Sequence, residues 1–280
     1  MPGRFSRRTF DCVTGIVISV TTAAEGGAVT DLDSRPAGPA STGGRERERR
    51  AERILDAAGE LLVAWGYPRI TVEDVARRAG VGKGTVYLHF STKELLFLAV
   101  LIRAKARIIE RLAAGVRADP SAVLLSSAAR SAYLWVHEEP IFRATLLGDD
   151  DTLGALSRSA AENLPDLLDV RDRALLAHVE VLREHGLVRT DQSSALQVHA
   201  YESILTGFVT IEPLSPSTVP ALEDNADMIA HVMRAAFELP APPESVRAAA
   251  PRVNEIYQRL LDRLNSAVPT AREIHRHKRT

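Results

Sequence analysis

Twenty consecutive residues, Thr71 to Phe90 (TVEDVARRAGVGKGTVYLHF), constrain this chain more than any other stretch. Val72, Val75, Ala76 and Ala79 recur at helical spacing, so a first short helix has one apolar side. Thr71 is suited to cap it, and Asp74 three residues on gives a near capping box. Gly80 stands where a helix C-terminus needs a residue that tolerates positive φ. Val81 then turns inward, and Val86 and Phe90, four apart, make the inner face of a second helix. Lys83, Gly84, Thr85, Tyr87, Leu88 and His89 are left facing outward or sideways. Seven residues rising about 1.5 Å each make a rod of roughly 10 Å, which fits a major groove about 12 Å wide. The pattern reads as a helix-turn-helix whose second helix enters DNA.

The run Ala79-Gly-Val-Gly-Lys-Gly-Thr-Val-Tyr-Leu-His-Phe90, followed by Ser91-Thr-Lys-Glu-Leu95, resembles the tetracycline-repressor (TetR) family of bacterial regulators. The helix before it agrees: Ile54, Leu55, Ala58, Leu61, Leu62 and Trp65 form one apolar stripe, ended by Gly66-Tyr67. The resemblance covers roughly residues 48 to 100. It departs from the family at Gly82, where a Ser N-cap is frequent, and at His89, where Tyr is frequent. It implies that Lys83 approaches a phosphate or guanine edge, that Gly84 lets the backbone come close, and that Thr85 meets a base edge or thymine methyl. It further implies a phosphate contact for the Tyr87 hydroxyl and places Leu88 and His89 at the groove or its wall. Thr71 and Lys93 would clamp the DNA backbone from either side. Val72 and Gly82 complete this expected DNA-contact set.

Charge is graded along the chain although the net value is only −1. Residues 45–95 hold ten Lys and Arg against eight Asp and Glu, whereas residues 96–280 hold 21 against 24. A basic end on a mildly acidic body suits a nucleic-acid binder. Abundant Ala, Leu, Arg and Glu suit an all-α fold. Cys12, the single cysteine, excludes an intramolecular disulfide and agrees with a reducing, cytoplasmic setting. Ser6-Arg-Arg-Thr-Phe10 before the apolar Val13–Ala24 stretch has the outline of a twin-arginine export signal. Asp11 and several Thr and Gly residues dilute it, and Ala24-Glu-Gly-Gly-Ala28 is a poor cleavage site, so a disordered or misassigned extension is the expectation for residues 1–44.

The expected organisation is a helix-turn-helix domain over residues 45–108 and a helical ligand-binding and dimerisation domain over residues 109–239. A Pro- and Ala-rich linker with room for one short helix, Val253–Leu264, and a basic tail would fill residues 240–280. Arg45-Glu-Arg-Glu-Arg-Arg-Ala-Glu-Arg53 opens the first helix, either as phosphate contacts or as a solvated ion-paired face. Ser91-Thr-Lys-Glu94 reads as a capping box for the next long helix.

Two apolar helices, Ser194–Ile211 and Leu222–Phe237, carry Leu196, Ile204, Leu205, Phe208, Ile211, Met228, Ile229, Val232 and Met233. Their apolar face suggests a subunit interface, or else simple core. The resemblance implies a two-fold dimer through these helices and hence a palindromic DNA operator. It also implies a small apolar ligand in the body domain that favours one of two states. Tyr133, Trp135, His137, Phe142, His178, His199 and Phe208 are the residues expected able to line such a pocket. No Gly-rich phosphate loop, HExxH or Gly-x-Ser-x-Gly elbow occurs, so no enzyme is expected. No cofactor or membrane association is expected either. Asp149–Asp151, His275-x-His277 and the pair His178 and His185 are weak metal signals that lack completing ligands. The reading is a TetR-like regulator, a repressor released by a ligand, with a ligand-independent DNA-binding co-regulator as the alternative.

Overall fold

Ile54, Leu55, Ala58, Leu61 and Leu62 form the buried stripe of helix α1, Thr42–Trp65, in the computed structural model, which describes residues 42–141, 156, 159–160, 162–212 and 220–277. Trp65, expected in that stripe, is 46% exposed. The chain reverses at Gly66 (φ 72°) through a single 3-10 turn, Tyr67–Arg69, and the Tyr67 ring fills the core beneath the helix end. That ring meets Phe97 edge-on with centroids 5.2 Å apart, and its hydroxyl donates to Glu94 Oε1 at 3.2 Å.

Helix α2, Val72–Ala79, has the expected capping box: Asp74 N donates to Thr71 Oγ1 at 3.2 Å and Thr71 N to Asp74 Oδ2 at 3.0 Å. Those Thr71 hydrogen bonds hold the Asp74 carboxyl below its usual range. Gly80 (φ 65°, ψ 38°) ends α2 in the left-handed region, with Val81 N donating back to Ala76 O at 3.0 Å. Helix α3, Lys83–His89, follows, its buried side made by Val86, with Phe90 closing the turn beyond.

Helix α4, Lys93–Ala118, starts from Thr92, whose Oγ1 accepts from Leu95 N at 3.1 Å. The cap is therefore one residue later than the Ser91–Glu94 box read from the sequence, and Glu94 serves Tyr67 instead. All residues from Leu95 to Ile102 are buried, so this half of α4 is apolar all round and must lie inside the molecule. Helices α1 to α3 cover one end of it. The helix continues past residues 108 and 109, where a domain boundary was expected, into the body. Arg103 ties it to α1 through Glu52 (2.8 Å) and Asp56 (2.7 Å).

A short 3-10 turn, Pro120–Val123, leads to α5, Leu125–Glu138. Arg107 grips Glu139 just past the end of α5 with two hydrogen bonds of 2.8 Å. Next in the described chain are α6, Pro165–Glu184, α7, Ser194–Ile211, and α8, Leu222–Phe237. The last two have the bounds expected from the sequence. Helix α6 ends at Gly186, and Val188 then pairs with Glu238 in one antiparallel bridge that ties the α6–α7 connection to the end of α8.

The C-terminal segment differs most from expectation. In place of a linker with a short helix, residues Pro243–His277 form one helix, α9, packed mainly along α4 and α6. Ala249, Val253, Ile256, Tyr257, Leu260, Leu264, Ala267 and Ala271 are its buried side. Pro251 and Pro269 lie within it on the exposed side, as do Arg247 and Asn265, whose carbonyls lose their helical donors and can turn to water. Packing along the apolar stripe outweighs the local cost of the prolines.

Replacing Gly80 with Ala forces a Cβ into the left-handed region. The expected result is a loss of about 1–2 kcal/mol, read as a lower urea midpoint at unchanged slope.

Candidate DNA interface and body cavity

A seven-residue helix does not hold together unaided, so the burial of Val86 and Phe90 decides which side of α3 remains outside. Lys83, Gly84, Tyr87 and Leu88 point outward, with Tyr87 41% and Leu88 75% exposed, and Thr85 is half-buried between them. An exposed Leu beside a Tyr on a short polar helix is unfavourable in water unless something covers it. Gly84 strengthens this point. A Cβ built on it meets nothing within 4 Å, so the fold has room for Ala there. Gly inside a helix costs about 1 kcal/mol relative to Ala, and nothing within the protein offsets that. A surface that must come close from outside accounts for it.

Lys83 Nζ lies 3.3 Å from Glu73 Oε2, Arg77 pairs with Asp74 at 3.0 Å, and Arg78 Nε donates to Glu60 at 2.6 Å. These surface pairs are worth little individually. Gly82 caps α3 with no side-chain hydrogen bond and is exposed.

Three members of the expected contact set are placed otherwise. His89 is 4% exposed, inside α3 beside Phe90 and away from the groove side. Val72 is core. Lys93 donates to the Tyr67 carbonyl at 2.8 Å and sits 4.1 Å above the Tyr67 ring, so it is stitched to the protein, and burial lowers its pKa. Thr71 is exposed, but its hydroxyl donates to Asp74 Oδ2 at 2.6 Å, which makes it first of all a helix cap.

The body contains a cavity of about 190 Å³ between α4, α5, α6, α7 and α9. Ile109, Leu112, Val136, Leu205, Val209 and Leu260 supply most of its wall, while His178, Tyr201, Glu202, Tyr257 and Lys105 supply the polar groups. Of the described residues expected to line a pocket, only His178 does so. Tyr133 and His137 belong to a separate cluster: both contact the Glu212 carboxylate, His137 Nε2 at 2.9 Å, and Asn225 donates to the Tyr133 hydroxyl at 3.2 Å. Trp135 and Phe208 are half-buried against the core outside the cavity, His199 is on the surface, and Phe142 lies outside the described residues. Tyr257 lies in the short helix expected over Val253–Leu264, but helical spacing alone does not mark it as a cavity residue. Tyr201 and Glu202 gave no signal either.

The proposed apolar face of α7 and α8 divides. Ile229 and Met233 are fully buried in the core, whereas Leu196, Ile211, Leu222 and Met228 are exposed. Among the described residues no three His, Cys, Asp or Glu side chains gather to hold a metal ion, and Asp149–Asp151 lie outside them. Among the same residues no single helix is long and apolar enough to cross a membrane.

His178 is completely buried, and its imidazole is held neutral: Nε2 donates to Val123 O at 2.7 Å, and Nδ1 accepts from the Tyr257 hydroxyl at 3.0 Å. Burial pushes its pKa down to about 4, against a smaller opposing pull from the Val123 carbonyl. Unfolded, the ring takes its proton near pH 6.5. Between these two values the proton prefers the unfolded chain, so stability falls as pH drops through this window and the loss levels off below about 4. The full effect is about 3 kcal/mol. His178→Gln should flatten that part of the stability profile in urea titrations between pH 7 and pH 4.

The model of the family "Bacterial regulatory proteins, tetR family" matches residues 54–100, the segment that holds the second half of α1, all of α2 and α3, and the start of α4. The transcriptional activator FasR of Mycolicibacterium smegmatis is 42% identical over 86 residues, 30% of this chain and 37% of FasR. The regulator TtgW of Pseudomonas putida is 47% identical over 56 residues, 42% of its length, so the chain matches well under two thirds of these relatives. The transcriptional repressor LfrR of M. smegmatis is 34% identical over 140 residues, covering 43% of this chain and 69% of LfrR. Among solved structures, the fatty acid degradation regulator FadR from Bacillus halodurans superposes with a TM-score of 0.53 at 15% identity, covering 71% of this chain and 96% of that one. FadR from Bacillus subtilis, solved in complex with stearoyl-CoA, gives 0.52 at 16% identity, covering 65% and 96%. These two share the fold. With the helix-turn-helix geometry, the family match and the LfrR similarity in agreement, this chain belongs to the TetR family of bacterial regulatory proteins.

Proposed function

We propose that this protein is a cytoplasmic, homodimeric transcriptional regulator that represses by holding a palindromic operator and lets go when a small apolar ligand enters the body cavity. The observation that carries the DNA-binding part is α3 itself: a short helix locked by Val86 and Phe90, presenting Lys83, Gly84, Thr85, Tyr87 and Leu88 outward. Lys83 and Tyr87 reach phosphate or base edges, Gly82 and Gly84 admit the backbone, and Thr85 and Leu88 face the groove. The DNA-binding unit is residues 45–108. The ligand and dimer unit begins at residue 109 and takes in α9.

Dimerisation is supported by where apolar surface remains. Leu196, Ile211, Leu222 and Met228 lie exposed on α7 and α8, and a second copy would cover them. A two-fold axis there sets the two α3 helices one DNA turn apart, about 34–36 Å. Helix α4 supports the ligand response, because it lies under α1–α3 and also forms a wall of the cavity with Ile108, Ile109 and Leu112. A ligand that prefers one placement of α4 shifts the spacing of the α3 pair by that preference and no more.

Fluorescence anisotropy against DNA flanking the gene, with a scrambled duplex as control, tests the reading. The wild type should select the palindrome, and Tyr87→Ala should weaken binding about tenfold or more at every sequence. Lys83→Ala should make the salt dependence shallower by about 0.9 for each phosphate it no longer neutralises. Unchanged operator binding by Tyr87→Ala would refute the assigned helix face. For the interface, Met228→Arg is expected to give monomers in sedimentation velocity and to lose operator affinity.

A further inference from the structure

The cavity's size and its few polar groups restrict what can occupy it, an inference that rests on the ligand-responsive reading above. Its volume, about 190 Å³, is somewhat larger than the apolar cavity of about 150 Å³ that accepts benzene. One aromatic ring with a short substituent matches that volume, whereas a long acyl chain would have to run out through the open side.

The polar groups differ in what they have left to give. His178 uses both ring nitrogens, one on Val123 O and one on the Tyr257 hydroxyl. Because that neutral imidazole accepts at Nδ1, the Tyr257 hydroxyl donates there and can only accept from anything else. Lys105 and Glu202 also line the cavity, and each already interacts within the protein. An ionised ligand among these apolar walls would be strongly disfavoured.

Tyr201 is the exception. It is 7% exposed and lines the cavity, and its hydroxyl has no hydrogen-bond partner among the described residues. Burial, reinforced by nearby Tyr257, Glu202 and Glu238, keeps it protonated and therefore a donor. That hydroxyl is reachable from the cavity, so its proton is open to an acceptor on an occupant.

We propose that the cavity takes a neutral molecule of about six to ten non-hydrogen atoms, a single ring or its equivalent in bulk, carrying one acceptor such as a carbonyl that receives the Tyr201 hydroxyl proton. Tyr201 is thus the residue that sets ligand specificity, and the apolar wall supplies most of the affinity.

Isothermal titration of the full-length protein with acetophenone, ethylbenzene, benzoate and stearoyl-CoA tests this, on wild type and on Tyr201→Phe. Acetophenone and ethylbenzene share shape and differ in the acceptor. Acetophenone affinity should fall about three- to tenfold in Tyr201→Phe, while ethylbenzene affinity holds or rises. The ethylbenzene arm and an unchanged melting temperature show that the variant is folded. Benzoate and stearoyl-CoA should not bind. Equal losses for both ring compounds, no binding of either, or tight binding of stearoyl-CoA would overturn the assignment. Operator release, measured by anisotropy with the same compounds, separates this proposal from the reading beneath it. Tyr201-dependent acetophenone binding with no change in operator affinity upholds the site and removes the ligand response. Operator release by stearoyl-CoA alone keeps the response and removes the small neutral ligand.

Discussion

Eight successive buried residues on α4, Leu95 to Ile102, are the constraint on which the rest of the molecule depends. A helix that is apolar all round must be surrounded, and here α1, α2 and α3 supply the covering at that end. Their arrangement is set by this need. The small helices α2 and α3 are too short to be stable in isolation, so their order derives from α4. Beyond residue 102 the same helix becomes one wall of the body, its buried side continuing through Ile108, Ile109, Ala113 and Val116 against α5 and α9. Arg103 and Arg107 stand at the changeover and hold α1 on one side and the end of α5 on the other. The helix runs unbroken from one region into the other.

This dependence explains which parts of the fold were legible in the residues. Thr71, Asp74 and Gly80 act through bonds to neighbours a few residues away, so their roles as cap and turn could be read from spacing alone, and the structure has both. The bounds of α7 and α8 were legible for the same local reason: Ser193 caps the first, and prolines stand between the two. Failures came where burial is decided by distant chain. Trp65 continues the α1 stripe by spacing, yet Tyr67 already fills the core there. His89 looks like a groove residue on a helical wheel of α3 alone, but the packed side of so short a helix reaches round to it, and its ring lies beside Phe90. In the C-terminal segment a helix was expected only over Val253–Leu264, and packing against α4 and α6 carries α9 on through Pro251 and Pro269.

The cavity was the least legible feature. Its walls come from residues as far apart as Lys105 and Leu260, and no single segment carries a pattern that marks it. Aromatic and His residues of the body were reasonable candidates by chemistry, yet Tyr133 and His137 turn to Glu212 instead. Helix phase decides this: Ala132 and Val136 face the cavity, while Tyr133 and His137 lie one residue round the helix from them.

A ligand confined to this cavity touches α4 and α5 at once, and that sets a limit on its leverage. Burying one ring's worth of apolar surface is worth about 1.5–3 kcal/mol, and one added hydrogen bond about 1 kcal/mol. Only the part of this that differs between the two placements of α4 can move the operator equilibrium, so coupling of about 1–3 kcal/mol, or roughly 5- to 150-fold, is the range open to it. That range suffices if the operator-binding state is only modestly favoured in the free protein. The ion pairs that fix α4 to α1 and to the end of α5 suit such a balance. The Arg103 pairs are partly exposed and worth little individually, whereas the two-point Arg107–Glu139 pair is the firmer tie. The buried stretch of α4 is thus joined to its surroundings by partly exposed ion pairs.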